Sequence, residues 1–300
     1  MSQAAEVPAN STILASHPNL TFSSGRYSYR MTREGDSTTY TVTDGTDTIS
    51  LPILWAFGRG TAEQTYILRI GDDVIESRVS FYSSIDGLDI TLGATEQPGN
   101  LRAAVGRTMD PGSLAACFGC HTTGAVENQK VAFDHVRVGV RCDNCHQGAL
   151  RHSEAALRGD VANASIKSLK NLSPARIGAV CGRCHRTSEE VLGMDLPAVQ
   201  TIRFQPYRLA LSRCYDDIDV RISCTACHNP HQPAVRNAAA YDAKCLACHQ
   251  ADKQLSRRPC PKATSNCTSC HMPRIELPHA HQSFADHNIR VVRQRAASNR

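Results

Sequence analysis

CFGCH at Cys117–His121 is the first of six Cys-x-x-Cys-His pentads; CDNCH follows at Cys142–His146, CGRCH at Cys181–His185, CTACH at Cys224–His228, CLACH at Cys245–His249 and CTSCH at Cys267–His271. This is the attachment pattern of c-type haem. The spacing has a chemical reason. Two thiols three residues apart add across the two vinyl groups of one haem, and the following His reaches the iron. Chance supplies about 0.03 such pentads at this composition. The pattern implies six haem c groups, attached through Cys117, Cys120, Cys142, Cys145, Cys181, Cys184, Cys224, Cys227, Cys245, Cys248, Cys267 and Cys270. His121, His146, His185, His228, His249 and His271 are the expected proximal iron ligands.

Zinc is the competing reading. The gaps of 17 residues from Cys227 to Cys245 and 18 from Cys248 to Cys267 fit a zinc ribbon. The other gaps, of 21, 35 and 39 residues, do not, and zinc leaves six trailing His unexplained. The motifs fill 155 residues, about 26 per haem, too little chain to separate the groups by layers of protein. Neighbouring haems are therefore expected nearly in contact.

Composition agrees. Aromatic residues make up 5% of a 300-residue chain, which is thin for a protein core. Flat apolar haems would supply the missing core, and without them the C-terminal two-thirds is not expected to fold. The formal charge of +5 is not read as a nucleic-acid footprint, because haem propionates offset it and the Arg residues are scattered. Several Arg are expected to pair with propionates. Only the run Arg290–Arg300 is compactly basic, and it reads as a solvated end. No stretch is apolar for long enough to span a membrane, and no nucleic-acid partner is expected. The first residues, MSQAAEVPANSTILASHPNL, lack the features of a signal peptide. Haem c attachment takes place outside the cytoplasmic membrane, so a periplasmic or extracellular protein is expected, its leader absent from this chain.

Residues 1–98 contain no cysteine. Alternating Tyr27, Tyr29 and Met31, a turn at Asp44-Gly45, and TYILRI (Thr65–Ile70) meeting VIESRVSFY (Val74–Tyr82) across Gly71-Asp72-Asp73 predict an antiparallel β module. Five or six strands over Thr21–Leu92 are expected. Trp55 reads as a core residue, with contact to the first haem's edge as the alternative. ATEQPGN (Ala94–Asn100) reads as a linker. Residues 99–300 read as a hexahaem domain of short helices and loops, including helices from Ser173 into Cys181 and over Arg236–His249. The fold class is thus α+β with little regular structure.

Seven further His could supply sixth ligands: His17, His135, His152, His231, His279, His281 and His287. His231 in CHNPH and His152 in CHQGALRH each lie too close to their own proximal His to cap the same iron. His287 follows the last motif and His135 precedes the second. His279 and His281 are two residues apart, so one of them is expected to ligate. His17 lies in what reads as an unstructured N-terminus and is the expected spare. Met109, Met194 and Met272 are weaker candidates, read first as ordinary apolar side chains. Cys214 and Cys260 remain outside the motifs. An even remainder suggests a disulfide; buried thiols and a thiolate ligand stay open.

GVRCDNCHQGALRH, CTACHNPH, CTSCHMPR with FADHNIRV, RFQPYRLALSRCY and CGRCHR resemble segments of multihaem cytochromes c around the tetrahaem electron acceptor of hydroxylamine oxidoreductase and related periplasmic multihaem proteins. The resemblance covers about Leu101–Val292, with a looser likeness at WAFGRG and RVSFY. It implies a haem-packed fold, His231 and His287 as distal ligands, and electron transfer, sometimes coupled to nitrogen or sulfur chemistry. The chain lacks the Cys-x-x-Cys-Lys motif of pentahaem nitrite reductases and the long C-terminal helical region of hydroxylamine oxidoreductase.

The sequence points first to an electron carrier: six mostly bis-His haems passing electrons between redox proteins or other cytochromes. The second reading is an oxidoreductase acting on a small nitrogen or sulfur species at one open haem, with CFGCH as the candidate. The third is a homo-oligomer or filament in which subunits stack. Whether the protein is an enzyme is left open.

Overall fold

The computed structural model describes residues 1–160, 162–249, 260 and 262–292. The fold is mixed α and β, with antiparallel sheets at the N-terminal end and mostly short helices after them. Most of the basic run at 290–300 lies outside the described residues.

Two compact units divide the chain: residues 1–167 with Pro278–Gln282, and residues 168–277 with the described residues from 283 on. The N-terminal sheets therefore share a unit with the first two motifs.

In the first unit, β1 (Ala5–Glu6), α1 (Thr12–Ser16), β2 (Asn19–Ser24), β3 (Tyr27–Glu34), β4 (Ser37–Thr43) and β5 (Thr48–Pro52) open the chain. β2 to β5 form a four-stranded antiparallel meander. Alternation puts Tyr27, Tyr29 and Met31 of β3, and Tyr40 and Val42 of β4, on its buried face. β6 (Trp55–Phe57), β7 (Glu63–Ile70), β8 (Asp73–Ser77), β9 (Val79–Tyr82), β10 (Gly87–Ile90) and β11 (Gly106–Thr108) join β1 in a seven-stranded sheet. The run read as one strand from Val74 breaks at Arg78, so β8 and β9 both pair with β7. Arg78 is 1% exposed and turns inward. It donates to Thr95 O at 2.9 Å and Glu96 O at 2.6 Å, and to the Tyr29 hydroxyl. The expected linker is thereby pinned to the sheets.

β7 is buried on both faces. Tyr66 and Leu68 join the larger core with Tyr29, Tyr40, Ile75, Val79 and Phe81. Ile67 faces the other way, into a second cluster with Phe57, Val74, Met109 and Phe118. Trp55 packs against that second cluster, stacked on Phe133 at 5.8 Å and edge-on to Phe118 at 5.2 Å. Phe118 belongs to the CFGCH motif, so the first motif is built onto the sheet. The N-terminus is ordered too. β1 pairs with β6, and His17 caps the end of α1, so the unstructured reading of this segment is corrected.

α2 (Leu101–Val105), α3 (Pro111–His121) and α4 (Ala149–Leu157) complete the helices of this unit. The second unit contains α5 (Pro174–His185), α6 (Ser188–Leu192), α7 (Gln205–Ala210), α8 (Cys224–Cys227), α9 (Ala238–His249) and α10 (Cys267–His271). Both hydrophobic clusters end by Val138 in sequence. Ten of the twelve large apolar side chains that stand exposed among the described residues lie from Leu150 onward, among them Leu157, Leu192 and Ile218. No helix among the described residues is long and apolar enough to cross a membrane.

Candidate haem sites

Each pentad forms a helical turn. The first, third and fifth close the C-terminal ends of α3, α5 and α9, the fourth and sixth form α8 and α10, and the second is a 3-10 turn at Cys142–Asn144. In a helical turn, residues i, i+3 and i+4 share a face, so the two thiols and the imidazole are presented together.

Local sequence fixes these turns. Asp110 caps α3, accepting from Ser113 N at 3.0 Å, and Pro111 starts the helix. Ser173 caps α5 in the same way, accepting from Arg176 N at 3.4 Å ahead of Pro174. Ser223 caps α8, accepting from Ala226 N at 3.2 Å. α10 has no side-chain cap from its own N-cap residue. Asp242 of α9 fills that role, accepting from Asn266 N at 2.6 Å and Cys267 N at 2.8 Å. Those N–H groups hold the Asp242 carboxyl below the ordinary range. The fifth motif's helix thus sets the start of the sixth.

Thiols of separate motifs meet in the second unit. Cys181 is hydrogen-bonded to Cys224, which raises the Cys181 thiol and lowers that of Cys224. Cys245 is likewise hydrogen-bonded to Cys267. Motifs three and four are therefore neighbours, as are five and six.

The histidines divide by which ring nitrogen is held. His121 Nδ1 donates to Ala4 O at 2.7 Å, His146 Nδ1 to Lys167 O at 3.1 Å and His271 Nδ1 to Arg290 O at 3.1 Å. His185 Nδ1 lies 3.0 Å from Gln205 Oε1, and His228 Nδ1 lies 3.5 Å from the Tyr241 hydroxyl. Among the expected distal ligands, His152 Nδ1 contacts Ala164 O at 2.5 Å and His287 Nδ1 contacts Ala285 O at 3.0 Å. A donor hydrogen bond from Nδ1 fixes the tautomer that leaves the Nε2 lone pair for a metal. Burial pulls His121, His185, His228 and His287 below the ordinary histidine range, keeping them neutral.

Two histidines do the reverse. His17 Nε2 contacts Asp86 Oδ1 at 3.0 Å, and its Nδ1 contacts Ile13 O at 3.1 Å, so both nitrogens are engaged. His281 Nε2 contacts Asp89 Oδ2 at 2.7 Å, with its ring 4.8 Å from Tyr82. That counts against His281 as a ligand and leaves His279 as the member of the pair with its ring exposed. His135 and His231 are exposed as well.

The rings of His228 and His287 lie side by side, with centres 6.2 Å apart and planes inclined by 37°. Two imidazoles on opposite sides of one metal stand roughly 6 Å apart, from metal–nitrogen bonds of about 2 Å and about 1 Å from each nitrogen to its ring centre. The pair has the spacing that one iron requires. Among the described residues no three Cys, His, Asp or Glu side chains converge in the manner of a metal site.

The expected disulfide is not formed. Neither Cys214 nor Cys260 takes part in one. Cys214 lies near the motif thiols Cys227 and Cys245, whereas Cys260 is exposed and accepts from backbone N–H groups of Lys262 and Ala263. Met109 is 5% exposed in the second core cluster, which gives it a packing role.

Residues 93–147, which hold the first two motifs, match the family described as cytochrome c554 and c-prime. The match supports a c-type cytochrome that binds haem c and works in haem-based electron transfer. No curated protein matches the chain, and no solved structure does.

Proposed function

We propose that the chain is an exported hexahaem cytochrome c whose six motifs, within residues 99–300, each carry one haem, and that it relays electrons between redox partners. Bound there, haem supplies an iron centre that takes up and releases one electron at a time. The residues of the chain set the rest. Each Cys pair would fix one group covalently, and each proximal His would offer Nε2 to the iron, five of them (His121, His146, His185, His228 and His271) oriented through Nδ1. His228 and His287 would hold one iron as a bis-His pair, and their 6.2 Å ring separation is the observation that carries the proposal. The contacts of Cys181 with Cys224 and of Cys245 with Cys267 make the third and fourth groups, and the fifth and sixth, adjacent steps of the relay. Exposed apolar side chains such as Leu157, Leu192 and Ile218 become haem contacts.

A second reading rests on the two histidines anchored through Nε2. Removing His17 and His281 from seven candidates leaves His135, His152, His231, His279 and His287, five caps for six irons. One iron then lacks a histidine cap and is open to a small nitrogen or sulfur species, which makes the protein an oxidoreductase at that site.

Intact-mass measurement of protein made with the haem-attachment machinery tests the count: six haem additions are expected, and unmodified thiols or bound zinc would contradict it. Low-temperature EPR separates the two readings. Only low-spin signals support a pure relay; one high-spin signal that shifts with nitrite or cyanide supports the open site. His281→Ala is expected to leave every haem signal in place.

A further inference from the structure

Asp286 is fully buried. Arg208 of α7 grips its carboxylate at both oxygens, Nε to Oδ1 at 2.9 Å and Nη2 to Oδ2 at 2.7 Å. Arg290 Nη1 adds a contact to Oδ2 at 2.5 Å, and Asn288 N donates to Oδ1 at 2.9 Å. A buried carboxylate with this set of donors is a costly device for stability alone, because desolvation cancels most of the attraction. What it provides is a single geometry.

That geometry belongs to a strap at residues 285–290. Asp286 N donates to Pro273 O at 2.9 Å. Ser212 Oγ donates to His287 O at 2.9 Å and accepts from Ile289 N at 2.8 Å. Arg290 is bound twice to His271: its N–H donates to His271 O at 3.3 Å, and its own carbonyl accepts from His271 Nδ1 at 3.1 Å. One short segment thus carries the imidazole whose centre lies 6.2 Å from that of His228 and the carbonyl that orients the sixth motif's histidine. Asp286 directly precedes His287 in the chain and holds Arg290 directly.

We infer that Asp286 is a positioning residue that sets the axial histidines of two motif sites together, His287 opposite His228 and His271 in the last pentad. The inference rests on the reading of His287 as a ligand. Arg208 and Ser212 anchor the strap from outside it, and Arg290 passes the constraint from the first site to the second.

The test uses the haem-loaded protein, with EPR, a spectroelectrochemical titration and carbon monoxide binding to the reduced form. His287→Met should alter the signal of one haem. Asp286→Asn should alter that same signal and one more, leaving the others in place. Loosened His287 competes less well for iron, so carbon monoxide affinity at that haem should rise, by roughly the 10- to 100-fold by which loss of an outer-shell partner weakens metal ligation. Arg208→Met should behave like Asp286→Asn, and Arg208→Lys should restore part of the wild-type signature. If Asp286→Asn does not fold, Ser212→Ala loosens the strap more mildly and should shift the His287 signal. No change in Asp286→Asn, or a change confined to the His287 haem, overturns the inference while the ligand reading stands. If His287→Met alters no haem, the ligand reading itself falls.

Discussion

The chain up to Val138 and the chain from Ala149 onward are two kinds of protein. The first closes its own hydrophobic clusters, with Tyr40, Tyr66, Leu68, Phe81 and Phe118 all essentially inaccessible. The second buries few apolar side chains among its described residues, several of them alanine, and exposes Leu157 at 89%, Ile218 at 83% and Leu192 at 75%. Its order comes from caps, ion pairs and the helical turns of the motifs. Three of its four motif helices, α5, α8 and α10, are capped, and few apolar side chains are buried among its described residues; under the proposed function, four of the six haems would supply the missing apolar body. The difference teaches that the first region finds its buried surface in β pairing, while the second, on the proposed reading, would find it in haem packing.

The contrast can be broken at its strongest point. Phe81, 1% exposed in the larger core, should cost about 3–5 kcal/mol when changed to Ala, by lost burial and an unfilled cavity. Denaturant melts followed by tryptophan fluorescence should report that loss, because Trp55 is the only Trp and sits in this unit. The haem spectra of motifs three to six should not move. A smaller effect is expected from Asp242→Ala, which removes the cap of α10 and should cost about 1 kcal/mol. Mass mapping should then show reduced haem attachment at Cys267 and Cys270, with Cys245 and Cys248 unaffected. Equal losses at both motifs would show that the cap does not act locally.

The smallest effect concerns pH and belongs to the β-rich unit alone. Burial raises the Glu63 carboxyl above its ordinary value, against hydrogen bonds from Thr65 and Tyr82. A carboxyl raised in the folded state adds stability that is complete below its unfolded pKa and is lost as pH rises through the folded one. Glu63→Gln should therefore flatten the decline in stability from mildly acidic to neutral pH. An unchanged slope would assign that decline to other groups.

Much of this contrast was legible in sequence because it rests on local pattern. Ser173-Pro174 begins a helix by capping chemistry, Asp44-Gly45 turns a hairpin, and each pentad carries its own helical turn. What was not legible depends on partners far apart in the chain. His121 is oriented by a carbonyl 117 residues away, and His281 is drawn to Asp89 across 192 residues. Nothing near His17 announces that Asp86 will engage it. The same limit explains the disulfide: an even remainder of cysteines says nothing about whether Cys214 and Cys260 come within bonding distance. Arg78 was missed because a charged residue inside an apolar run looks like a strand position facing water, whereas here it turns inward to hold the segment after β10.

The central claim is that the motif-rich half is built around haem and the β-rich half is not. Amide hydrogen exchange, measured on the haem-loaded protein and on a form whose motif cysteines are replaced by alanine, tests it most directly. The account predicts strong protection of β3, β4 and β7 in both forms, and protection of α5, α8, α9 and α10 only when haem is attached. Native-like protection of those four helices without haem would contradict it.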